Sequence, residues 1–206
     1  MKILVLKFGG TSVGSIKKIK KVAEIVIEYK KKNYNVIVIS SAMSGVTNEL
    51  IKRSNEISDN FSDSEQDVLI SSGEQVACSL IAGRLIHKGY KSRSWLAWQV
   101  PIITKGPHTN SRINQISNHK ITKYLKEGGI PIITGFQGVN SDNRITTIGR
   151  GGSDASAIMI AKFFKAKRCI IYTDVEGVYT TDPNKLNKAK KIKVISYEEM
   201  LEMASL

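Results

Sequence analysis

Ile3-Leu4-Val5-Leu6-Lys7-Phe8-Gly9-Gly10-Thr11-Ser12 is the stretch that decides the fold of this chain. Ile3 to Phe8 is an apolar run interrupted only by Lys7, and a short continuous run of this kind reads as a strand buried on both faces. Two glycines and two small polar residues then turn the chain. Directly behind them Ile16, Ile19, Val22, Ala23 and Val26 recur at helical spacing, with Lys17, Lys18, Lys20 and Lys21 between them. Buried strand, glycine turn and amphipathic helix form the first unit of an alternating chain.

The alternation continues to the end of the sequence. Apolar runs predict strands over 36–39, 92–96, 102–104, 130–134, 145–148 and 169–172. Helical patterns begin near Asn48 and run over 68–87, 113–126 and 153–165. Residues 40–45 and 58–64 read as loops, and Asn140-Ser141-Asp142-Asn143 reads as a hairpin turn. Ser196 with Glu199 makes a capping box for a last helix starting near Tyr197. Strands alternating with helices imply an α/β fold, a three-layer αβα sandwich around a mostly parallel central sheet. Ligands of such folds are expected at the carboxyl ends of the strands. With no internal repeat and no long linker, residues 1–206 read as one domain. The sequence stops at Leu206, barely two turns into an apolar helical stretch. Two expectations stand there: a longer protein cut short, or a C-terminal helix docked on the sheet.

Composition narrows the class. The 206 residues are 41% hydrophobic, 24% charged and 7% aromatic, which excludes collagen-like, low-complexity and wholly disordered chains. Lys+Arg of 31 against Asp+Glu of 18 gives a net charge of +13, a balance suited to nucleic acid, an anionic surface or phosphorylated small molecules. Cys78 and Cys169 lie far apart in apolar stretches, without CxxC or Cys/His clustering, and read as core packing. The apolar runs are too short for a membrane span, and the N-terminus meets a charge and glycines too soon for a signal peptide. A cytoplasmic protein is the expectation. No nucleic-acid motif accompanies the basic charge, and the lysines interleave with apolar positions as on a solvated helix face. Neither nucleic acid nor membrane is expected as a partner.

Three glycine-bearing segments carry the chemistry. Lys7-Phe8-Gly9-Gly10-Thr11-Ser12 ends the first strand; successive amides there form an anion nest to which Lys7 adds a full charge. It is not a Walker A loop, and by itself it fits an ordinary strand–helix turn equally well. Ile148-Gly149-Arg150-Gly151-Gly152-Ser153-Asp154 brackets one arginine with three glycines just before a helix. Helix N-termini attract anions, and arginine grips carboxylates or phosphates bidentately. A plain hairpin loop explains the cap at Ser153 or Asp154 but not the glycines around Arg150. Tyr172-Thr173-Asp174-Val175-Glu176-Gly177-Val178-Tyr179, with Thr180-Thr181-Asp182-Pro183, follows the last clear strand and alone reads as a polar turn. His87, His108 and His119 are scattered and read as surface or helix-end residues. Trp95 and Trp98 read as structural or pocket-wall residues.

Together these segments resemble the aspartate kinases, within the amino-acid kinase family. The resemblance rests on KFGGTSVG (Lys7 to Gly14), SAMSGVTN (Ser41 to Asn48), SSGEQ (Ser71 to Gln75), GFQG (Gly135 to Gly138), TTIGRGGSD (Thr146 to Asp154) and YTDVEGVYTTDP (Tyr172 to Pro183), and it spans essentially the whole chain. Kinases of acetylglutamate, glutamate or UMP share the glycine loops, but are not expected to share SAMSGVTN and SSGEQ in this form.

The resemblance implies ATP-dependent phosphorylation of the β-carboxylate of L-aspartate with Mg²⁺, the first step towards lysine, threonine and methionine or diaminopimelate. It implies Lys7 and Asp154 as catalytic residues and no metal-ligating residue of the protein. Lys7, Phe8, Gly9, Gly10, Ser12, Thr173, Asp174, Tyr179 and Asp182 would serve ATP. Ser41, Thr47, Glu74, Arg150, Gly151, Gly152, Ser153 and Asp154 would serve L-aspartate. Two departures from the pattern stand out. Asn184 and Lys185 follow TTDP where many members have arginine, and the chain stops before a GAK segment and ACT regulatory domains. A homo-oligomer or a missing C-terminal partner is therefore expected. An inactive or split kinase fragment, or a kinase for another small carboxylate, is the alternative.

Overall fold

Ile3 to Phe8 form a strand with every residue buried, because each face of the sheet carries its own helical layer. A computed structural model of the chain describes residues 1–117, 119–149, 151–173, 177, 180–181, 189–192, 195–196 and 199. The elements in chain order are β1 (Ile3–Phe8), α1 (Gly10–Val13), α2 (Ile16–Lys31), β2 (Asn35–Ser40), α3 (Val46–Ile57), α4 (Asp63–Ile70), α5 (Ser72–His87), β3 (Ser92–Trp95), β4 (Ile102–Lys105), β5 (Arg112–Ile116), α6 (His119–Lys126), β6 (Ile130–Thr134), β7 (Gln137–Val139), β8 (Ile145–Thr147), α7 (Gly152–Phe163) and β9 (Arg168–Tyr172).

Among the described residues the central sheet has five parallel strands in the order β3-β6-β2-β1-β9. Side chains alternate across it. Leu4, Leu6 and Phe8 pack with Ile19, Val22 and Val26 of α2 and with Cys78, Ile81 and Leu85 of α5. Ile3 and Val5 face the opposite layer, with Ile121 and Leu125 of α6 and Ala157, Ile160 and Ala161 of α7. The three-layer αβα architecture is therefore the one the alternation predicts. Cys78 and Cys169 are both free and belong to opposite layers.

A second sheet, β5-β4-β7-β8, stands beside the first among the described residues, with antiparallel β4–β5 and β7–β8 pairs. The hairpin around Asn140–Asn143 forms as expected, with the Asn140 side chain accepting from the Asp142 and Arg144 amides.

Two predicted elements are corrected. The helix expected over 113–126 is a strand followed by a shorter helix, β5 and α6. A register shift between Ile103 and Thr104 pairs Thr104 with Ile113 and Ile102 with Ile116. This irregularity puts two isoleucines three apart against the core and imitates helical spacing. The long helix over 68–87 is two helices, breaking at Ser71. There the Ser71 hydroxyl donates to the Val68 carbonyl and the Ser72 hydroxyl to the Leu69 carbonyl, while the Ser71 carbonyl accepts from the Gln137 amide group. Such side-chain bonds compete with the helical ladder. The capping box does form: the Ser196 amide donates to Glu199 and the Glu199 amide to Ser196, at 2.8 and 3.2 Å. Most of the helix it was expected to open lies outside the described residues.

The layered core carries the first prediction. Leu6→Ala, at the fully buried centre of β1, should lower unfolding free energy by about 2–5 kcal/mol. Ile57→Ala, at the exposed end of α3, should change it by no more than about 0.5 kcal/mol. Urea midpoints of the two variants measure the contrast.

Candidate active site

Alternation along β1 decides what lies at its carboxyl end. Positions 3, 5 and 7 point toward the α6/α7 layer, so Lys7 leaves the sheet on the side where α7 begins. Its ammonium is 2.7 Å from Asp154 Oδ1, and the lysine side chain is only 7% exposed. Asp154 stands in the first turn of α7, where the helix dipole favours an anion. Gly151 caps that helix at φ 70°, a left-handed conformation that side-chain-bearing residues avoid.

The third charged group arrives from α5. Gly73 packs so close to Ala42 that an added Cβ would lie 2.8 Å from the alanine methyl. This approach brings the buried Glu74 carboxylate to the loop after β2, where the Ala42 amide donates to Oε1 at 2.9 Å. Oε2 has no hydrogen-bond partner among the described residues. Burial pushes the Glu74 carboxyl up to about 7, against the pull of the Ala42 amide in the other direction.

These groups border one cavity of about 310 Å³. Of the residues read from the sequence as substrate-binding, Ser41, Thr47, Glu74, Gly151, Gly152, Ser153 and Asp154 line it, together with Lys7 and Gly10. Phe8, Ser12 and Thr173 line a different cavity of about 310 Å³, with Lys18, Lys21 and Tyr172. The Phe8 ring is buried and stacked on Tyr172, with centroids 4.7 Å apart. The Gly9 amide and the Ser12 hydroxyl both donate to the Tyr172 carbonyl, at 3.0 and 3.2 Å, tying the glycine turn to the end of β9. Of the described residues read as nucleotide-binding, Lys7 and Gly10 thus line the first cavity, Phe8, Ser12 and Thr173 the second, and Gly9 neither. Arg150, Asp174, Tyr179 and Asp182 lie outside the described residues.

Sequence reasoning missed Met43, Phe136 and Gly149 as lining residues of the first cavity. All three sit in or beside quoted motifs, and Phe136 has φ 66°, an unusual backbone for an aromatic residue. Among the described residues no group of three or more His, Cys, Asp and Glu side chains is placed to hold a metal ion. Nor is any helix long and apolar enough to cross a membrane.

Known proteins match this chain in sequence and in fold. An aspartokinase of Rickettsia felis is 51% identical over 208 residues, covering 100% of this chain and 52% of that protein. The chain spans about half the length of the curated relatives it matches. An aspartate kinase crystal structure from Synechocystis superposes with a TM-score of 0.78 at 38% identity, covering 98% of this chain and 33% of its own. Escherichia coli aspartokinase III, in complex with aspartate and ADP, gives a TM-score of 0.78 at 26% identity over 92% of this chain and 53% of its own. The model of the amino acid kinase family matches residues 2–206, and the chain belongs to that family.

Proposed function

We propose that residues 1–206 form the kinase portion of an aspartate kinase, transferring the γ-phosphoryl group of ATP to the β-carboxylate of L-aspartate. The products are 4-phospho-L-aspartate and ADP, and the reaction opens the route to lysine, threonine and methionine. One observation carries this reading: Lys7, Asp154 and Glu74, from three separate elements, meet at a single cavity at the carboxyl end of the sheet. The aspartokinase relatives and the E. coli complex with aspartate and ADP support it.

The chemistry asks little of the protein by way of proton transfer. A side-chain carboxyl with a pKa of about 3.9 is already ionised at pH 7, so the nucleophile needs no general base. A carboxylate oxygen forms the new bond to phosphorus while the bond from phosphorus to the bridging oxygen breaks, and ADP leaves with that electron pair. What remains is alignment and neutralisation of charge on the phosphoryl oxygens. Lys7 supplies a positive charge oriented by Asp154. A Cβ at Gly9 would lie 3.4 Å from the Lys7 ammonium, so the glycine keeps room beside that charge for a phosphate. Mg²⁺ entering with ATP would be held mainly by the phosphates and would supply neutralisation of their charge.

Glu74 suits the substrate ammonium, because its Oε2 lacks a partner among the described residues and burial resists its ionisation until a cation arrives. Arg150 suits the α-carboxylate as a bidentate donor. In this reading Phe8, Gly10 and Ser12, with Thr173, Asp174, Tyr179 and Asp182, serve the nucleotide. Ser41, Thr47 and Gly151 to Ser153 complete the amino-acid site.

Three outcomes are expected. Lys7→Met should lower kcat by about a hundredfold or more while changing aspartate affinity much less, measured by hydroxamate-coupled turnover and by calorimetry. Arg150→Ala should raise the aspartate KM by about thirtyfold or more, as loss of a charge-assisted contact requires. The third concerns protons. Without ligand, Glu74 is largely protonated below about pH 7, and the incoming ammonium favours the carboxylate. Aspartate binding at pH 6 should therefore release close to one proton, affinity should rise from pH 5 to 7 and then level, and Glu74→Gln should abolish the release. Calorimetry in buffers of different ionisation enthalpy measures it.

A further inference from the structure

Asp67 lines neither cavity and takes no part in the reaction above, yet it is fully buried in α4. A carboxylate removed from water persists only when donors surround it. Three converge here. The Thr147 hydroxyl donates to Oδ1 at 2.5 Å, and the Thr109 amide donates to Oδ1 and Oδ2 at 3.0 and 3.1 Å. His108 Nδ1 lies 2.6 Å from Oδ2. The sequence reading set His108 aside as a surface or helix-end residue; its side chain is 24% exposed and tied to this carboxylate.

These donors share a destination. Thr147 ends β8, and Ile148 and Gly149 follow it directly. Thr109 has φ 63°, a left-handed conformation that a β-branched residue holds only when its surroundings enforce it. The next residue, Asn110, lies against the Gly149 α-carbon, where an added Cβ would collide with its Oδ1. The Ser111 amide donates to the Thr147 carbonyl at 2.9 Å and the Ile148 amide to the Phe136 carbonyl at 2.8 Å. The Gly152 amide then closes onto the Gly149 carbonyl at 2.9 Å, two residues before Asp154. Asp67 thus grips both chain segments that press on the start of the glycine loop.

We infer that Asp67 is a positioning residue: through Thr147 and Thr109 it fixes Ile148 and Gly149, and with them the cavity wall formed by Gly149, Gly151 and Gly152. That wall is held ready for a dicarboxylic amino acid instead of being ordered by it. The identity of the ligand, though not the positioning itself, rests on the function proposed above.

The test uses three variants of the full chain. Thr147→Val removes one hydroxyl at nearly constant shape, and Thr147→Ser restores it. Asp67→Asn keeps side-chain size but turns an NH₂ toward groups that donate. Three readouts apply: calorimetric L-aspartate affinity, urea midpoint, and hydrogen exchange of the Gly149 and Gly151–Asp154 amides. Thr147→Val and Asp67→Asn should weaken aspartate about tenfold and speed exchange of these amides selectively, with Thr147→Ser near wild type. Unchanged affinity and exchange in both weakened variants overturns the assignment. So does faster exchange spread evenly through the chain, the signature of a purely structural role. If wild type fails to bind L-aspartate, the proposed function falls, while exchange at the loop amides still decides the role of Asp67.

Discussion

A lysine ammonium almost cut off from water must have an anion beside it, and at the end of β1 that anion is Asp154. The pairing constrains far more than two side chains. It requires α7 to begin beside the carboxyl end of β1, and so requires the chain to turn sharply between β8 and α7. Gly151, with its left-handed backbone, makes that turn. It also gives the mouth of the sheet a fixed positive group whose position is set before any ligand arrives, the condition under which electrostatic stabilisation is most effective. The strand alternation that buries Val5 against α7 is the same alternation that delivers Lys7 to it.

Glu74 complements this arrangement by a different route. Lys7 meets its counter-charge within the protein, whereas Glu74 has one oxygen satisfied by the Ala42 amide and the other without a partner among the described residues. Burial without a cation raises its pKa, and a cationic ligand relieves exactly that penalty. One charged group is thus pre-paired and the other waits for a ligand, a division suited to an amino acid whose ammonium and carboxylate must be told apart. The second cavity, between β1, α2 and β9, lies on the other side of the glycine turn, and the Gly9 and Ser12 bonds to Tyr172 join the two.

Much of this was legible in the sequence because it depends on local pattern. The apolar runs located β1, β2, β6 and β9, and the glycines located the cavity, with seven of the eight residues read as substrate-binding lining it. What the sequence hid depends on long-range pairing. The irregularity opposite β5 gave Ile113 and Ile116 a helical spacing, and the break at Ser71 arises from serine hydroxyls and Gln137, a residue 66 positions away. β4, β8 and the β7–β8 hairpin were legible, but the second sheet was not, because the pairing that joins its halves links Ile103 to the distant Val139. Asp67 and His108 were equally invisible. Each is an ordinary polar residue in sequence, and only folding brings them within 2.6 Å.

A structure of the chain with L-aspartate bound tests the central claim most directly. The account predicts the amino acid in the cavity between β1, α5 and α7, with its ammonium within hydrogen-bonding distance of Glu74 Oε2 and its β-carboxylate directed toward Lys7. Aspartate seated elsewhere, or held in that cavity with its ammonium away from Glu74, would contradict it.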